Sequence, residues 1–410
     1  MKRAWCLLAA AGVVISSAAC GTRAPGETHR APAPARPGTQ ASAATDSKGA
    51  PASPLAGTFL MDLTWVSDRH GWALAAAPCG RNLCPRLATT TDGGRTWAAL
   101  PALPGRVAGP DGTPGCTLVG CVRQIRFATA RVGYLFGPAL FQTNDGGRSW
   151  RRVPGRPVEA LEPSAGTVIR IVYDDTGCPG PCNRAVQETT AGSAAWHTVL
   201  RLPASITVGS VAAQLGRQGT SVLYVLLYGH VAGGAGQAHT VILRSIDGGA
   251  TWQRWADPCP GTGPDEHDTS SLAAAPGGFA AVLCPPRSGT GTTFVRTSAD
   301  NGSTWGPPRA VPGGTGDYLS LIAAASAAHL VLATGGFEGN GPVTYHLLAS
   351  ADGGRHWSVA VSGRAQLDPR APGAAFLGFE DATAGRWISD AHDIWTTQDA
   401  GQHWHERAFP

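Results

Sequence analysis

The residues of this chain that could do acid–base or ligand chemistry come in short, scattered groups. Tyr173 is followed by Asp174 and Asp175. A phenol beside two carboxylates can supply a nucleophile and its base, while paired carboxylates entering a loop also serve as solvated turn residues. Asp265, Glu266, His267 and Asp268 offer oxygen ligands to calcium, but without the regular oxygen spacing of a calcium loop, which leaves a polar loop as the plainer reading. His403 and His405 flank Trp404 on one strand face, and with nothing else converging on them they read as an exposed edge. A phosphate loop, a nucleophile elbow and a zinc signature are all missing. Neither a cofactor nor a metal is expected.

Ten cysteines form the other reactive set. Cys6 and Cys20 belong to the N-terminal leader described below, which leaves Cys79, Cys84, Cys116, Cys121, Cys178, Cys182, Cys259 and Cys284. An even number in an exported chain favours disulfides. The short spacings suggest Cys79–Cys84, Cys116–Cys121 and Cys178–Cys182, leaving Cys259 with Cys284, although spacing alone does not exclude other pairings. The segments CPGPC and CTLVGC lack the two-residue spacing and histidine partners that zinc would require.

What must position these groups is a repeated element, Ser/Thr-x-Asp-x-Gly-x-x-Trp. It recurs as TTDGGRTW at 90–97, TNDGGRSW at 143–150, SIDGGATW at 245–252, SADNGSTW at 298–305, SADGGRHW at 350–357 and TQDAGQHW at 397–404. A worn copy, TTAGSAAW at 189–196, has Ala191 where Asp is expected. The Trp residues 97, 150, 196, 252, 305, 357 and 404 are 53, 46, 56, 53, 52 and 47 residues apart, a blade-sized interval at every step. Each residue type has work in a tight turn. The carboxylate accepts backbone amides, Gly supplies positive φ, the Ser/Thr hydroxyl ties down the incoming strand, and Trp opens the next strand with a large apolar surface. Asp92, Asp145, Asp247, Asp300, Asp352 and Asp399 are accordingly read as structural.

Between these turns lie short β-prone runs with no sustained helical period. Blade 1 illustrates the register, with strands beginning near Gly57, Gly71 and Arg86 before the turn and a last strand after it. Entry by a turn, Gly and an aromatic returns at Val132-Gly133-Tyr134 and as Gly385-Arg386-Trp387. Four strands seven times over predict an all-β fold, a seven-bladed β-propeller over residues 57–410 with four-stranded antiparallel blades. The first unit starts on an inner strand and the last ends on an outer one, so the ring should close by packing of blade 7 on blade 1. A register error would instead give a split blade.

The turn resembles the Asp-box, or BNR, repeat of sialidases, sortilin-type receptors and photosystem II assembly factors. The resemblance covers almost the whole chain beyond residue 57 and implies a propeller whose Asp-box turns join third and fourth strands, away from the ligand face. Of these families the chain most resembles the photosystem II assembly-factor type, without implying a photosynthetic role. A sialidase-like hydrolase would need an arginine trio, a Tyr nucleophile with its Glu, and an acidic acid/base residue. The N-terminal sialidase signature is not matched by RQIRFAT from Arg123, six blades would be expected where seven are counted, and Tyr224 and Tyr228 share one strand face as core residues.

The N-terminus reads as an export signal. Lys2 and Arg3 precede an apolar run over 5–15 that is too short to span a bilayer. Ser17-Ala18-Ala19-Cys20-Gly21 resembles a bacterial lipobox, with Ser17 replacing the usual Leu. Residues 1–20 are therefore expected to be a lipoprotein signal with Cys20 as the acylated residue, an ordinary signal peptide being the alternative. Residues 21–56, rich in Ala, Pro, Gly, Ser and Thr, are expected to be a disordered tether reaching on the order of 30 to 100 Å. The formal charge of +4 falls to +2 without Lys2 and Arg3. No basic run marks the folded part, which argues against nucleic acid and against an anionic membrane surface.

In the blade register all eight cysteines fall on the face opposite the Asp-box turns, together with the longer loops at 78–85, 102–120, 174–184, 230–239, 257–268, 285–292 and 335–342. Long braced loops on a rigid ring are where binding is commonly carried. The candidate binding face comprises Asp174, Asp175, Arg184, His230, Asp265, Glu266, His267, Asp268, Phe337 and Glu338. Three readings remain. A non-catalytic scaffold would bind an envelope protein or complex, a glycan-binding module would use exposed aromatics such as Phe337 beside Glu338, and a hydrolase would gather arginines around Tyr173 or Tyr228. A monomer held at the outer face of the cell membrane only through its lipid is expected.

Overall fold

The computed structural model describes residues 55–80, 82–107, 120–164, 166–174, 183–202, 210–218, 221–230, 238–259, 269–286, 291–312, 321–337, 343–365, 376–389 and 392–410. The chain divides into two units, Met1–Pro51 and Ala52–Pro410, and the second holds every described element. The leader, Cys20 and nearly all of the tether lie outside the described residues.

Blade 1 comprises β1 (Phe59–Trp65), β2 (Gly71–Cys79), β3 (Asn82–Thr90) and β4 (Ala98–Ala99). Blade 2 comprises β5 (Gln124–Phe127), β6 (Gly133–Phe136), β7 (Leu140–Thr143) and β8 (Arg151–Arg152). Blade 3 has β9 (Val158–Ser164), β10 (Thr167–Tyr173), β11 (Arg184–Thr190) and β12 (His197–Leu202). Blade 4 has β13 (Ser210–Gln218), β14 (Val222–His230), β15 (Ala238–Ser245) and β16 (Gln253–Trp255). In blade 5 they are β17 (Ser271–Ala275), β18 (Phe279–Cys284), β19 (Phe294–Ser298) and β20 (Arg309–Ala310). In blade 6 they are β21 (Leu321–Ala324), β22 (Leu330–Phe337), β23 (Val343–Ser350) and β24 (Ser358–Ala365). Blade 7 ends the ring with β25 (Leu377–Phe379), β26 (Gly385–Ile388), β27 (Asp393–Thr397) and β28 (His405–Ala408). Each blade is an antiparallel meander of four consecutive strands, as the repeat predicts, with the Asp turn joining the third strand to the fourth. From blade 1 to blade 7 each first strand neighbours the next, and together they form the inner wall.

The core is divided among the seams. Among the described residues, seven clusters of buried apolar side chains occur, one between each pair of adjacent blades. This explains why the middle strands are apolar at successive positions instead of alternating, because both faces of every blade are covered. In β14, Tyr224 and Leu226 pack toward blade 5 while Val225 and Leu227 pack toward blade 3. Tyr224 is fully buried, the core role expected of it, and the side chain of Tyr228 is outside the described residues.

Among the described residues no strand is shared between the first and last blades. The closing seam packs Leu55, Leu60, Leu63 and Ala73 of the first unit against Ile388, Ile394 and Phe409 of the last, so closure rests on side chains. Four of the segments expected to be loops are in part strand, the segment 174–184 because β11 already begins at Arg184. β2 and β3 run to Cys79 and from Asn82, β14 reaches His230 with β15 resuming at Ala238, and β22 extends through Phe337. The ladder continues through Cys79↔Asn82 and Phe337↔Val343, because antiparallel pairing propagates until a turn is forced.

Candidate functional site

The turn face is built by one hydrogen-bond pattern. In blade 1 the Thr90 hydroxyl donates to Asp92 Oδ1 at 2.8 Å and accepts from Gly94 N at 3.0 Å. Asp92 also accepts Thr96 N at 2.9 Å and the Thr96 hydroxyl at 2.6 Å. The same contacts recur around Asp145, Asp247 and Asp300. In blades 6 and 7 the imidazoles of His356 and His403 meet Asp352 and Asp399 at 2.5 and 2.7 Å. All six carboxylates thus accept hydrogen bonds within their own turns.

These bonds hold the carboxylates ionised. The Ser149 hydroxyl and amide bring Asp145 down to about 2, those of Thr251 do the same for Asp247, and the Thr304 amide and hydroxyl for Asp300. For Asp399 partial burial opposes the shift, yet the His403 contacts still carry it to about 2. A carboxyl whose folded pKa lies below its unfolded value near 3.8 stabilises the fold fully above that value, and the benefit is lost as pH falls through the folded value. Thermal melts between pH 6 and 1.5 should therefore show no loss of Tm from these turns down to about pH 4 and a fall from there toward pH 2. Asp300→Asn should weaken that fall.

Blade 3 solves the missing Asp differently. The Thr189 hydroxyl donates to Ala195 O at 2.7 Å, and the preceding blade supplies what remains: Tyr134 Oη accepts Gly192 N at 2.9 Å and Gln142 Nε2 donates to Gly192 O at 2.6 Å. The worn turn is held from its neighbour.

The opposite face is held covalently. Cys79–Cys84 closes the end of the β2–β3 hairpin, and Cys259–Cys284 ties the connection between blades 4 and 5 to the end of β18. Cys121, at the entrance to blade 2, is also disulfide-bonded, while Cys116, Cys178 and Cys182 lie outside the described residues. Asp257 fastens the same region, accepting Cys259 N at 2.9 Å and the Thr269 hydroxyl at 2.7 Å.

Of the proposed binding residues, Asp174 and Arg184 are described with their side chains. Both sit where β10 and β11 meet the loop face, Arg184 directly opposite Tyr173. Asp174 pairs with Arg156 at 2.7 Å, and Arg156 also donates to Asn183 O at 2.8 Å. Arg184 is buried and pairs with Glu159 at 2.9 Å. Burial pushes the Glu159 carboxyl up against the pull of Arg184. The two arginines nearest the end of Tyr173's strand are thus engaged with carboxylates. His230 and Phe337 end their strands on this face, and their side chains are outside the description. Asp175, Asp265, Glu266, His267, Asp268 and Glu338 lie outside the described residues.

A second charged group, not anticipated from sequence, lines the inner wall. Asp62 on β1 accepts Ile125 N at 2.8 Å and Arg126 Nη1 at 2.7 Å. Arg126 Nε lies 3.4 Å from Glu162 on β9, and its guanidinium is 5.7 Å from the centroid of Phe376 in blade 7. The inner strands of blades 1, 2 and 3 and the entrance to blade 7 therefore meet at Arg126. A register shift between Leu60 and Asp62 aims Asp62 toward β5, as bulges commonly do beside functional groups. Burial alone would lower the pKa of Arg126, but Asp62 and Glu162 outweigh it and hold the guanidinium charged. Side chains stitch the other inner strands too, with Thr64 accepting Phe127 N at 3.0 Å and Gln214 exchanging hydrogen bonds with Leu272 at 2.7 and 2.9 Å. Inner strands carry no ladder to one another, so these contacts replace one.

Seven four-stranded blades, closed by packing and covalently braced on one face, place the chain among the β-propellers. No protein-family model matches it, nor does any curated protein sequence. Among solved structures it is similar to a polysaccharide lyase of family PL25, an ulvan lyase, with a TM-score of 0.53 and 11% identity, over 87% of this chain and 97% of that one. An ulvan lyase bound to -[GlcA(1-4)Rha3S]- gives 0.52 at 11% identity, covering 86% and 97%. YCF48 from Cyanidioschyzon merolae gives 0.51 at 16% identity, covering 84% and 96%. At these identities the shared property is the fold, which serves both enzymes and non-enzymes.

Proposed function

We propose that this protein is an exported, lipid-tethered, non-catalytic binding module whose loop face receives a protein of the cell envelope. The observation that carries the reading is the division of labour between the faces. Cys79–Cys84 and Cys259–Cys284 brace only the loop face, while hydrogen bonds suffice for the turn face. Bracing cuts the entropy lost when loops become ordered against a partner. The ion pairs Arg156–Asp174 and Arg184–Glu159 set charge at the rim of blade 3, where a partner can exchange Asp174 as a pairing group.

The test is a cross-linking pull-down from cells of the tethered protein. It is compared with a variant in which residues 174–184 and 257–268 are replaced by short Gly-Ser turns. Loss of a stoichiometric protein partner from the variant is expected, and equal recovery from both would remove the loop face from the account. A glycan in the channel is the second reading, favoured by Arg126 and half-exposed Glu162 near the ring of Phe376, an arrangement of polar groups and an aromatic that suits a sugar.

A further inference from the structure

Charge is unevenly divided along the folded chain. Residues 55–152, which make blades 1 and 2, contain eleven arginines and five aspartates, a net +6, whereas residues 153–410 contain fifteen arginines and twenty-one acidic residues, a net −6. The turn face concentrates the basic side. Arg69, Arg95, Arg131 and Arg148 are exposed on its turns, and Arg151 and Arg152 are exposed where β8 leaves it.

Comparison among the blades separates these arginines from the needs of folding. The carbonyls of Arg69 and Arg131 accept Gly93 N and Gly146 N, both at 2.9 Å. The residues doing this in blades 4 to 7 are Ser221, Gly278, Ala328 and Thr383. Arg95 and Arg148 occupy the position held elsewhere by Ala194, Ala250, Ser303, Arg355 and Gln402. Only blades 1 and 2 have arginine at both positions, and the other turns form without that pair. Within each of these blades the two arginines belong to turns that are hydrogen-bonded together, and Trp72 Nε1 donates to Gly146 O at 3.1 Å, fixing the second pair against the first blade. Arg95 and Arg148 each place Nη1 on the carbonyl of their own turn Asp, at 3.3 and 2.9 Å, which orients the guanidinium while leaving its other donors to solvent. Of the neighbouring acids, Asp92 and Asp145 are engaged inside their turns and Asp68 is exposed.

We infer that the turn face of blades 1 and 2 is a docking surface for a linear anionic polysaccharide, carrying sulfate or carboxylate groups at regular intervals. The array repeats from one blade to the next, so a ligand with repeating charge can engage equivalent groups on both, and arginine matches the forked geometry of such anions. The site is independent of the loop face.

The test uses the full chain with heparin octasaccharide and polygalacturonate as probes, and neutral dextran and poly-glutamate as controls. Binding to heparin or polygalacturonate that weakens with salt is expected. Replacing Arg69, Arg95, Arg131 and Arg148 with Gln should weaken it at least tenfold, replacing them with Lys should restore only part of it because the charge returns without the fork, and Arg106→Gln with Arg123→Gln on the loop face should leave it unchanged. No binding to either anionic polysaccharide at low salt, equal binding by the Gln variant, or tighter binding of poly-glutamate would overturn the proposal.

Discussion

Replacing Arg386 with Ala should reduce stability by about 3–5 kcal/mol, the sum of lost charge-assisted hydrogen bonds and of the cavity left behind, with the loss concentrated at the seam between blades 7 and 1. Arg386 is completely buried. Its Nη2 donates to Asp68 O at 2.9 Å and its Nη1 to Gly385 O at 2.9 Å, while its guanidinium lies 4.4 Å from the centroid of Trp65. It therefore reaches from the last blade to the first where no strand does. Corresponding links at other seams, such as Arg244 to Asn301 O at 2.8 Å, join blades that the chain also connects. Urea denaturation gives the magnitude, and hydrogen exchange should show faster opening of β1 and β26 than of β14.

The same clasp has a pH dependence of opposite sign to that of the turns. Glu380 lies 3.7 Å from Arg386 with Oε2 otherwise unpaired, and burial pushes its carboxyl up to about 8 against the attraction of Arg386, with Asp381 and Asp68 adding to the rise. The folded state keeps this proton above pH 4.5 while the unfolded chain releases it, so the stability associated with Glu380 diminishes as pH rises from about 4.5 to 8. Glu380→Gln should flatten that slope. An Arg386 variant within 1 kcal/mol of the unmodified protein would mean that apolar packing alone closes the ring.

The second large effect belongs to the inner wall. Asp62→Ala should cost about 3–5 kcal/mol, since it strips Arg126 of its closest carboxylate and leaves Ile125 N without an acceptor. Asp62→Leu combined with Arg126→Met should recover most of that loss, because removing both charges avoids stranding one of them. If the double variant is as unstable as the single, the charge pair is not the source of the effect. Binding then separates structure from function at this cluster. A glycan in the channel would lose affinity in the stable double variant, whereas a protein on the loop face would not.

The repeat made the fold legible because each turn encodes its own geometry locally. Ser or Thr, Asp, Gly and Trp stand within eight residues of one another and carry out in the structure the contacts their chemistry suggests. The inner-wall cluster was not legible, since Asp62, Arg126 and Glu162 come from three blades, Asp62 and Arg126 each stand as the single charge of a short strand, and Glu162 shares its strand with Glu159. An Asp in FLMDLTW and an Arg in QIRF are the available signals, and neither has a partner within reach in sequence. The basic turn face was hidden for a related reason. Its arginines form no run in sequence, and they become neighbours only when the ring brings corresponding turns together. The compensation of the worn blade 3 turn by Tyr134 and Gln142 likewise depends on a neighbour some fifty residues earlier.

Site-specific photo-cross-linking in cells shows which face of the ring meets a protein partner. A photoreactive residue placed at Asn183 on the loop face is compared with one at Ile246, which is 52% exposed on the turn face of blade 4. If the braced loop face is the interface, a discrete protein adduct forms from position 183 and none from position 246. Adducts from position 246 alone would contradict it.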